Sequence, residues 1–321
     1  MQASPHAAAG LTHSRIEVSA ERPLQIWRFC DGLRGHEHQT LGLTQALAEC
    51  VPTEVCDVRV AGLFSQTAFP SNDQRPHLLI GAGRRTHRPM LRAKQQTRAR
   101  AVVLMRPRLR ASEFDLSIVP AHDGVAPSDQ VLVTRGALNP IRANARKNER
   151  LGLIAIGGPS AHHDWLDAEV ISQIRTITAN SSPNSSNGIS WTIANSRRTP
   201  ASTWQQLINA QLHGVTLAHW RAQESDWFAR TMANADNVWV SEDSVSMLYE
   251  ALSGGAGVGI LAVPRRRAGR VVGGVAQLIT DGLATPFGVW QSGRNLTPPE
   301  PVLAEAERSA QWLVDKWLLN R

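Results

Sequence analysis

Lysine is nearly missing. Lys94, Lys147 and Lys316 are the only three, so almost all of the basic side of a formal net charge of +7 is arginine. Cysteine is equally scarce: Cys30, Cys50 and Cys56 are too few and too scattered for a disulfide scaffold or a zinc cluster, which fits a reducing cytoplasm. Tyrosine occurs once, at Tyr249, with Ser253 instead of a lysine four residues later. The first strand-like segment also lacks G-x-G-x-x-G, and together these argue against a short-chain dehydrogenase or sugar epimerase of that pattern. No G-x-x-x-x-G-K-[ST] is present, which excludes P-loop phosphoryl transfer, and no G-x-S-x-G elbow for a serine hydrolase. No D-x-D pair offers a divalent cation to a nucleotide diphosphate. No apolar run approaches the ~20 residues of a membrane-spanning helix, and the first twenty-two residues lack the apolar stretch of a secretory signal.

What is present reads as two α/β domains. A length of 321 residues suits two cores of about 150 residues each. After a polar tail (1–22), short β-branched runs recur at 24–30, 54–60, 77–81, 101–105, 114–120 and 130–134, with helices expected over 40–50 and 84–99. Continuous apolar strands alternating with helices mean a parallel sheet covered on both faces. The polar stretch NPIRANARKNER (139–150) interrupts the pattern, which restarts with strands at 151–158, 188–193, 214–218, 237–240 and 257–263. The Ser/Asn-rich loop 180–188 reads as a local elaboration. The expectation is two doubly wound Rossmann-like domains facing a cleft, 23–145 and 146–295, followed by a long helix (296–321) that crosses back.

In such sheets ligands sit beyond the carboxyl ends of strands, so those loops hold the candidates. Asp31, Gly32, Gly35 and His36 lie in DGLRGHEHQ (31–39), where glycines before a helix let backbone N–H groups approach an anion. His36 and His38 diverge at a helix start and lack a third ligand, so no metal is expected. Gly158 and Ser160 repeat the strand–glycine–turn arrangement in GGPS (157–160), and Arg197 and Arg198 follow a strand in NSRRTP (195–200), where a guanidinium suits a diphosphate. In SEDSVSMLYEA (241–251), Asp243 or Ser244 is suited to cap a helix whose first amides, near Val245, Ser246 and Met247, face a phosphate. Ser246 and Glu250 are one turn apart and share a face, where a carboxylate suits two ribose hydroxyls. His122 and Asp123 follow a strand in PAHD (120–123).

From Arg84 to Arg110 the chain carries ten basic residues and no acid. Arg85, Arg88 and Arg92 form one helical stripe, and Arg142, Arg146 and Arg150 form another if that stretch is helical. The run contains no aromatic residue to stack bases, which favours an anionic membrane surface over nucleic acid.

Taken in order, DGLRGHEHQTLGLTQAL, LLIGAGRRT, FDLSIVPAHD, RGALN, IGGPS, SRRTP and SEDSVSMLYEALSGG resemble the family of the plant mitochondrial-fission "elongated mitochondria" protein, whose bacterial members are described as glycosyltransferases. The resemblance covers roughly 24–290. Gly32-x-x-Gly35-His36 also resembles the loop of the N-acetylglucosaminyltransferase that completes lipid II. The chain departs from the family pattern at Gly254–Val258, where relatives commonly carry Gly-Lys-Pro-Val. The resemblance implies a GT-B fold with the donor nucleotide in the C-terminal domain, surrounded by Gly158, Ser160, Arg197, Ser244, Ser246, Met247 and Glu250. It places Asp31, Gly35, His36, His122 and Asp123 across the cleft. The implied activity is metal-independent transfer from a nucleotide-diphosphate sugar to a lipid or cell-envelope oligosaccharide, in the cytoplasm and peripheral on the inner membrane, with no cofactor. The base is one of His122, Asp123 and His36, and inversion or retention stays open. The plant relatives also imply a non-catalytic adaptor as the alternative.

Overall fold

The computed structural model describes residues 15–60, 67–70, 75–107, 111–144, 148–180, 188–224, 226–267 and 269–320. The first sheet is built from β2 (Leu24–Cys30), β3 (Thr53–Arg59), β4 (Leu78–Ala82), β5 (Arg100–Leu104), β6 (Leu116–Pro120) and β7 (Val131–Thr134), numbered after a short β1 (Ile16–Val18). Its order is β3-β2-β4-β5-β6-β7 and every pairing is parallel. Helices α1 (Arg34–Cys50) and α2 (Arg84–Thr97) are its crossovers.

The second sheet contains β8 (Asn148–Ala155), β9 (Ser190–Ala194), β10 (Val215–Ala218), β11 (Ala235–Ser241), β12 (Gly257–Leu261) and the two-residue β13 (Thr285–Pro286). It is again parallel, in the order β10-β9-β8-β11-β12-β13. Around it lie α3 (Asp167–Asn180), α4 (Ala201–Asn209), α5 (Trp227–Asn234), α6 (Val245–Ser253), α7 (Arg270–Thr280) and α8 (Phe287–Gln291). The chain finishes with α9 (Glu305–Trp317) and β14 (Leu318–Asn320).

The two-sided apolar strands do what their composition requires. Leu78 and Ile80 face one cluster with Leu43 and Leu47 of α1, while Leu79 between them faces another with Met90 and Leu91 of α2. In the second sheet Val238 and Val240 pack with Leu248 and Leu252 of α6, and Trp239 turns the other way against Ile174 and Ile193. Alternation along a strand and a helix on each face are the same fact seen twice.

The C-terminal helix does cross back: Ala306, Ala310 and Leu313 of α9 join the α1 cluster of the first domain. It is shorter than its apolar pattern suggests, because Leu303 precedes it and Leu318 begins β14. β14 pairs in parallel with β1, so residues 16–18, read from sequence as part of a polar tail, are a strand clipped to the chain's far end. Residues 1–14 of that tail lie outside the described residues, as do 181–187 of the Ser/Asn loop. The arginine stripe through 142–150 does not form. Residues 141–144 are irregular, β8 begins at Asn148, and Arg146 lies outside the described residues. Arg142 instead binds Glu307 of α9 at 2.7 Å and the Gly42 carbonyl at 3.2 Å.

That last contact marks a tight seam between the helix and the linking segment. At Gly42 an added side-chain carbon would lie 2.4 Å from the carbonyl oxygen of Asn139, a backbone atom in the segment linking the sheets. Asn139 itself binds Ser253 Oγ of α6 at 3.0 Å. A methyl group at Gly42 must therefore push two domains apart. Gly42→Ala is expected to lower stability by about 1–3 kcal/mol in urea denaturation, as overpacking does elsewhere. Unchanged stability would show that α1 and the linking segment separate freely.

Candidate functional site

The carboxyl ends of the two sheets meet through α1, α6 and α7, and the candidate residues fall along this junction. On the first-domain side, β2 runs into Asp31, whose buried carboxylate accepts the Leu33 N–H at 3.1 Å and contacts His36 Nδ1 at 2.8 Å. Gly32 takes a positive φ of 81°, which suits glycine, and donates its N–H to Glu37 at 3.0 Å. The His36 ring lies on Gly83, where a side-chain carbon would come within 2.2 Å of it. Since the Asp31 carboxylate only accepts, His36 Nδ1 carries the proton and Nε2 is left as the basic atom. Gly35, in the first turn of α1, is exposed with open space around it.

The second-domain side is built on one buried carboxylate. Asp243 Oδ2 accepts the Gly158 N–H at 3.1 Å, Arg198 at 2.6 Å and the Ser244 hydroxyl at 3.0 Å. Asp243 Oδ1 is buried with no hydrogen-bond partner among the described residues. Arg198 also binds Ser244 Oγ at 3.0 Å and the carbonyls of Gly158 and Pro159 at 2.9 and 3.3 Å. Glycine is required at 158, because a side-chain carbon would lie 2.0 Å from the Arg198 carbonyl oxygen. Ser160 accepts the N–H groups of His162 and His163 at 3.2 and 3.1 Å and so closes the next turn. Ser244 stands at the N-cap position of α6 but makes no side-chain cap bond, its hydroxyl being committed to Asp243 and Arg198. The first amides of α6 are thus left to another partner. Arg197 and Ser246 are exposed beside this end and Met247 is half-buried.

Glu250, expected to grip a ribose, already has a protein partner. It is buried, 7% exposed, and Oε1 lies 3.2 Å from His38 Nδ1 of α1, across the junction. His122 also turns inward: its ring stacks on Tyr249 with centroids 6.3 Å apart and lies over Gly274 of α7. Burial pushes the Tyr249 phenol up to about 12, so it stays protonated. Asp123 is half-buried beside His122, and Arg106 reaches its carbonyl at 3.4 Å. Among the described residues no group of three or more His, Cys, Asp or Glu side chains is placed to hold a metal ion.

Sequence patterns missed three features. Arg198, read from the sequence only as a diphosphate partner beside Arg197, instead ties its loop to Asp243 and the Gly158 carbonyl. His38 reaches Glu250 across 212 positions, a pairing that no local spacing announces. At the end of β10, Trp220 is exposed, His219 lies between it and Trp204 at 6.0 and 5.5 Å, and the Arg221 guanidinium sits 4.9 Å above the Trp220 ring. The buried side chain of Asn195 holds this loop by accepting the Trp220 N–H at 2.8 Å. The basic run also splits up. Arg84, Arg85, Arg88 and Arg92 are exposed on α2, but Arg100 is buried against Trp317 and Lys94 pairs with Asp115 at 2.7 Å. Arg108 and Arg110 lie outside the described residues.

Burial lowers the pKa of His77, His87 and His163 below the usual 6.5, with Arg84 adding to the effect at His87. Below about 6.5 the unfolded chain then binds more protons than the folded one, so stability falls as pH drops through that range. Urea midpoints at about pH 7.5 and about pH 5.5 should show this loss, and His163→Gln should reduce it. An identical loss in that variant would assign the proton uptake to other groups.

The two-domain architecture has solved counterparts. The MurG crystal structure from Acinetobacter baumannii matches with a TM-score of 0.50 at 12% identity, covering 92% of this chain and 99% of that one. A UDP-N-acetylglucosamine 2-epimerase matches with 0.54 at 14% identity, covering 91% and 96%. That likeness concerns the fold, whereas the sequence argument against epimerases concerned only a tyrosine–lysine pattern. These are GT-B-type folds, and the present chain has that fold. No curated protein sequence matches it. No helix among the described residues is long and apolar enough to cross a membrane. The family model described as mitochondrial fission ELM1 matches residues 34–317, nearly the whole chain, and the protein belongs to that family.

Proposed function

We propose that the protein is a glycosyltransferase that takes a sugar from a nucleotide-diphosphate donor and passes it to a lipid or cell-envelope oligosaccharide, without a metal. The observation that carries this reading is the uncapped end of α6, set beside a glycine loop that Asp243 and Arg198 hold open. The amides of Val245, Ser246 and Met247, with Arg197, receive the diphosphate and stabilise it as it leaves. Gly158 and Ser160 shape the wall beside it, and Asp243 Oδ1 remains as an acceptor. Trp220 stacks the base. Glu250 exchanges His38 for two ribose hydroxyls. His36, oriented by Asp31, is the base that takes the acceptor proton, in preference to His122 and Asp123, because its partner fixes which nitrogen is basic. The fold shared with an enzyme named for UDP-N-acetylglucosamine supports a uridine donor.

Calorimetric titration with nucleoside diphosphates tests this. Trp220→Ala loses base stacking, and Glu250→Ala loses its charge-assisted bonds, so each is expected to weaken binding at least tenfold. His36→Ala should leave affinity unchanged and slow release of sugar from bound donor by about 10²–10⁴-fold. If the wild type binds no nucleoside diphosphate, the adaptor reading takes over. The contacts of His38 with Glu250 and of His122 with Tyr249, which already fill the junction, favour that second reading.

The exposed arginines of α2 support docking on an anionic membrane surface from the cytoplasmic side. Replacing Arg85, Arg88 and Arg92 with Glu should abolish sedimentation with anionic vesicles at low salt. Equal sedimentation of variant and wild type would dispose of the idea.

A further inference from the structure

The amino ends of the first sheet carry a second concentration of charge, away from the candidate site. A cavity of about 430 Å³ opens where β4, β5 and β6 begin, walled by Arg75, His77, Lys94, Arg98, Arg100 and Asp115 among others. Strands of five residues separate it from the junction by roughly 17 Å. Among the described wall residues, four permanent cations, one of them Lys94 paired with Asp115, stand beside one carboxylate. That carboxylate is already engaged: Asp115 Oδ2 accepts Lys94 Nζ and the Ala101 N–H, both at 2.7 Å.

Arg100 and His77 are held in place. The Arg100 guanidinium lies 4.8 Å over the Trp317 ring of α9 and is only 9% exposed. His77 Nδ1 accepts the Gln25 N–H at 3.0 Å, so its ring proton sits on Nε2 as a donor. Arg98 closes α2 in the left-handed conformation, φ 61°, a position that favours glycine. Backbone geometry therefore does not account for an arginine there. Like charges gathered around a cavity repel one another unless an anion sits between them. Guanidinium forks match phosphate oxygens in pairs, and a phosphomonoester carries about −1.5 to −2 at neutral pH.

We propose that this cavity is a phosphate-binding site, distinct from the α6 end, for a dianionic phosphate group carried by a small phosphorylated solute or by a phospholipid headgroup. It stands on the wall residues alone and does not depend on the glycosyltransferase reading.

The test titrates the full chain with inorganic phosphate and pyrophosphate by calorimetry, and sediments it with vesicles of phosphatidylcholine alone or containing phosphatidic acid. The comparison is with Arg75→Ala/Arg98→Gly, in which glycine suits the left-handed position, and with the α2 variant Arg85→Glu/Arg88→Glu/Arg92→Glu. The expected result is saturable binding by the wild type to at least one probe, at least tenfold weaker in the cavity variant. In the calorimetric arm the α2 variant should change phosphate or pyrophosphate binding by no more than about threefold; it is not a control for the vesicle arm, where its own arginines face anionic lipid. Binding of pyrophosphate assigns a soluble phosphate; binding confined to phosphatidic acid vesicles assigns a headgroup. If the cavity variant has a lowered urea midpoint, Arg75→Glu, at an exposed position, replaces it. Binding of no probe by the wild type, equal binding by the cavity variant, or an equal loss of phosphate and pyrophosphate binding in the α2 variant would each overturn the proposal.

Discussion

Everything at the candidate site depends on how closely α1 approaches the segment that carries the chain from one sheet to the other. Gly42 has no side chain, so the Asn139 backbone lies directly against the helix, and Asn139 then reaches Ser253 of α6. Arg142 ties the same segment to α1 and α9. With three helices drawn together at one point, residues far apart in sequence come within hydrogen-bonding distance. His38 and Glu250 are the consequence.

The second constraint is a buried negative charge. Asp243 is covered only because Arg198, Gly158 and Ser244 surround one of its oxygens, and an ion pair taken out of water keeps its place only with such support. The arrangement fixes two strand-ending loops relative to each other and leaves the start of α6 without a cap. A helix end stripped of its capping side chain by a structural demand is also an end open to an anion. The same four residues thus fix the loops and would serve the proposed ligand recognition there.

The charge distribution follows from the fold more than from the run of arginines. Along the sequence, 84–110 is one basic block; in space it divides into an exposed face of α2, a buried Arg100 under Trp317, and a Lys94 neutralised by Asp115. One end of α2 points towards Asp31, whose carbonyl Arg85 approaches at 3.5 Å, and the other towards the basic cavity. A single amphipathic helix thereby serves two separate regions.

The strands and their two-sided burial were legible in the sequence, because an apolar run bounded by turn residues has few ways to hide from water other than the middle of a parallel sheet. The strand-ending loops that hold Asp31, Gly158 and Asp243 were legible for the same reason. Their roles within those loops were not. Glu250 was readable as sharing a face with Ser246, yet which carboxylate faces solvent depends on α1, more than two hundred residues away. Arg197 and Arg198 are neighbours of one chemical type and both exposed, and only the contacts of Arg198 with Asp243 and the Gly158 carbonyl mark it as the structural one. Residues 16–18 and 318–320 are too short to show a period, so their pairing could be decided only once α9 had crossed back to the first sheet. Local periodicity determines which residues are buried; long-range packing decides which buried groups meet.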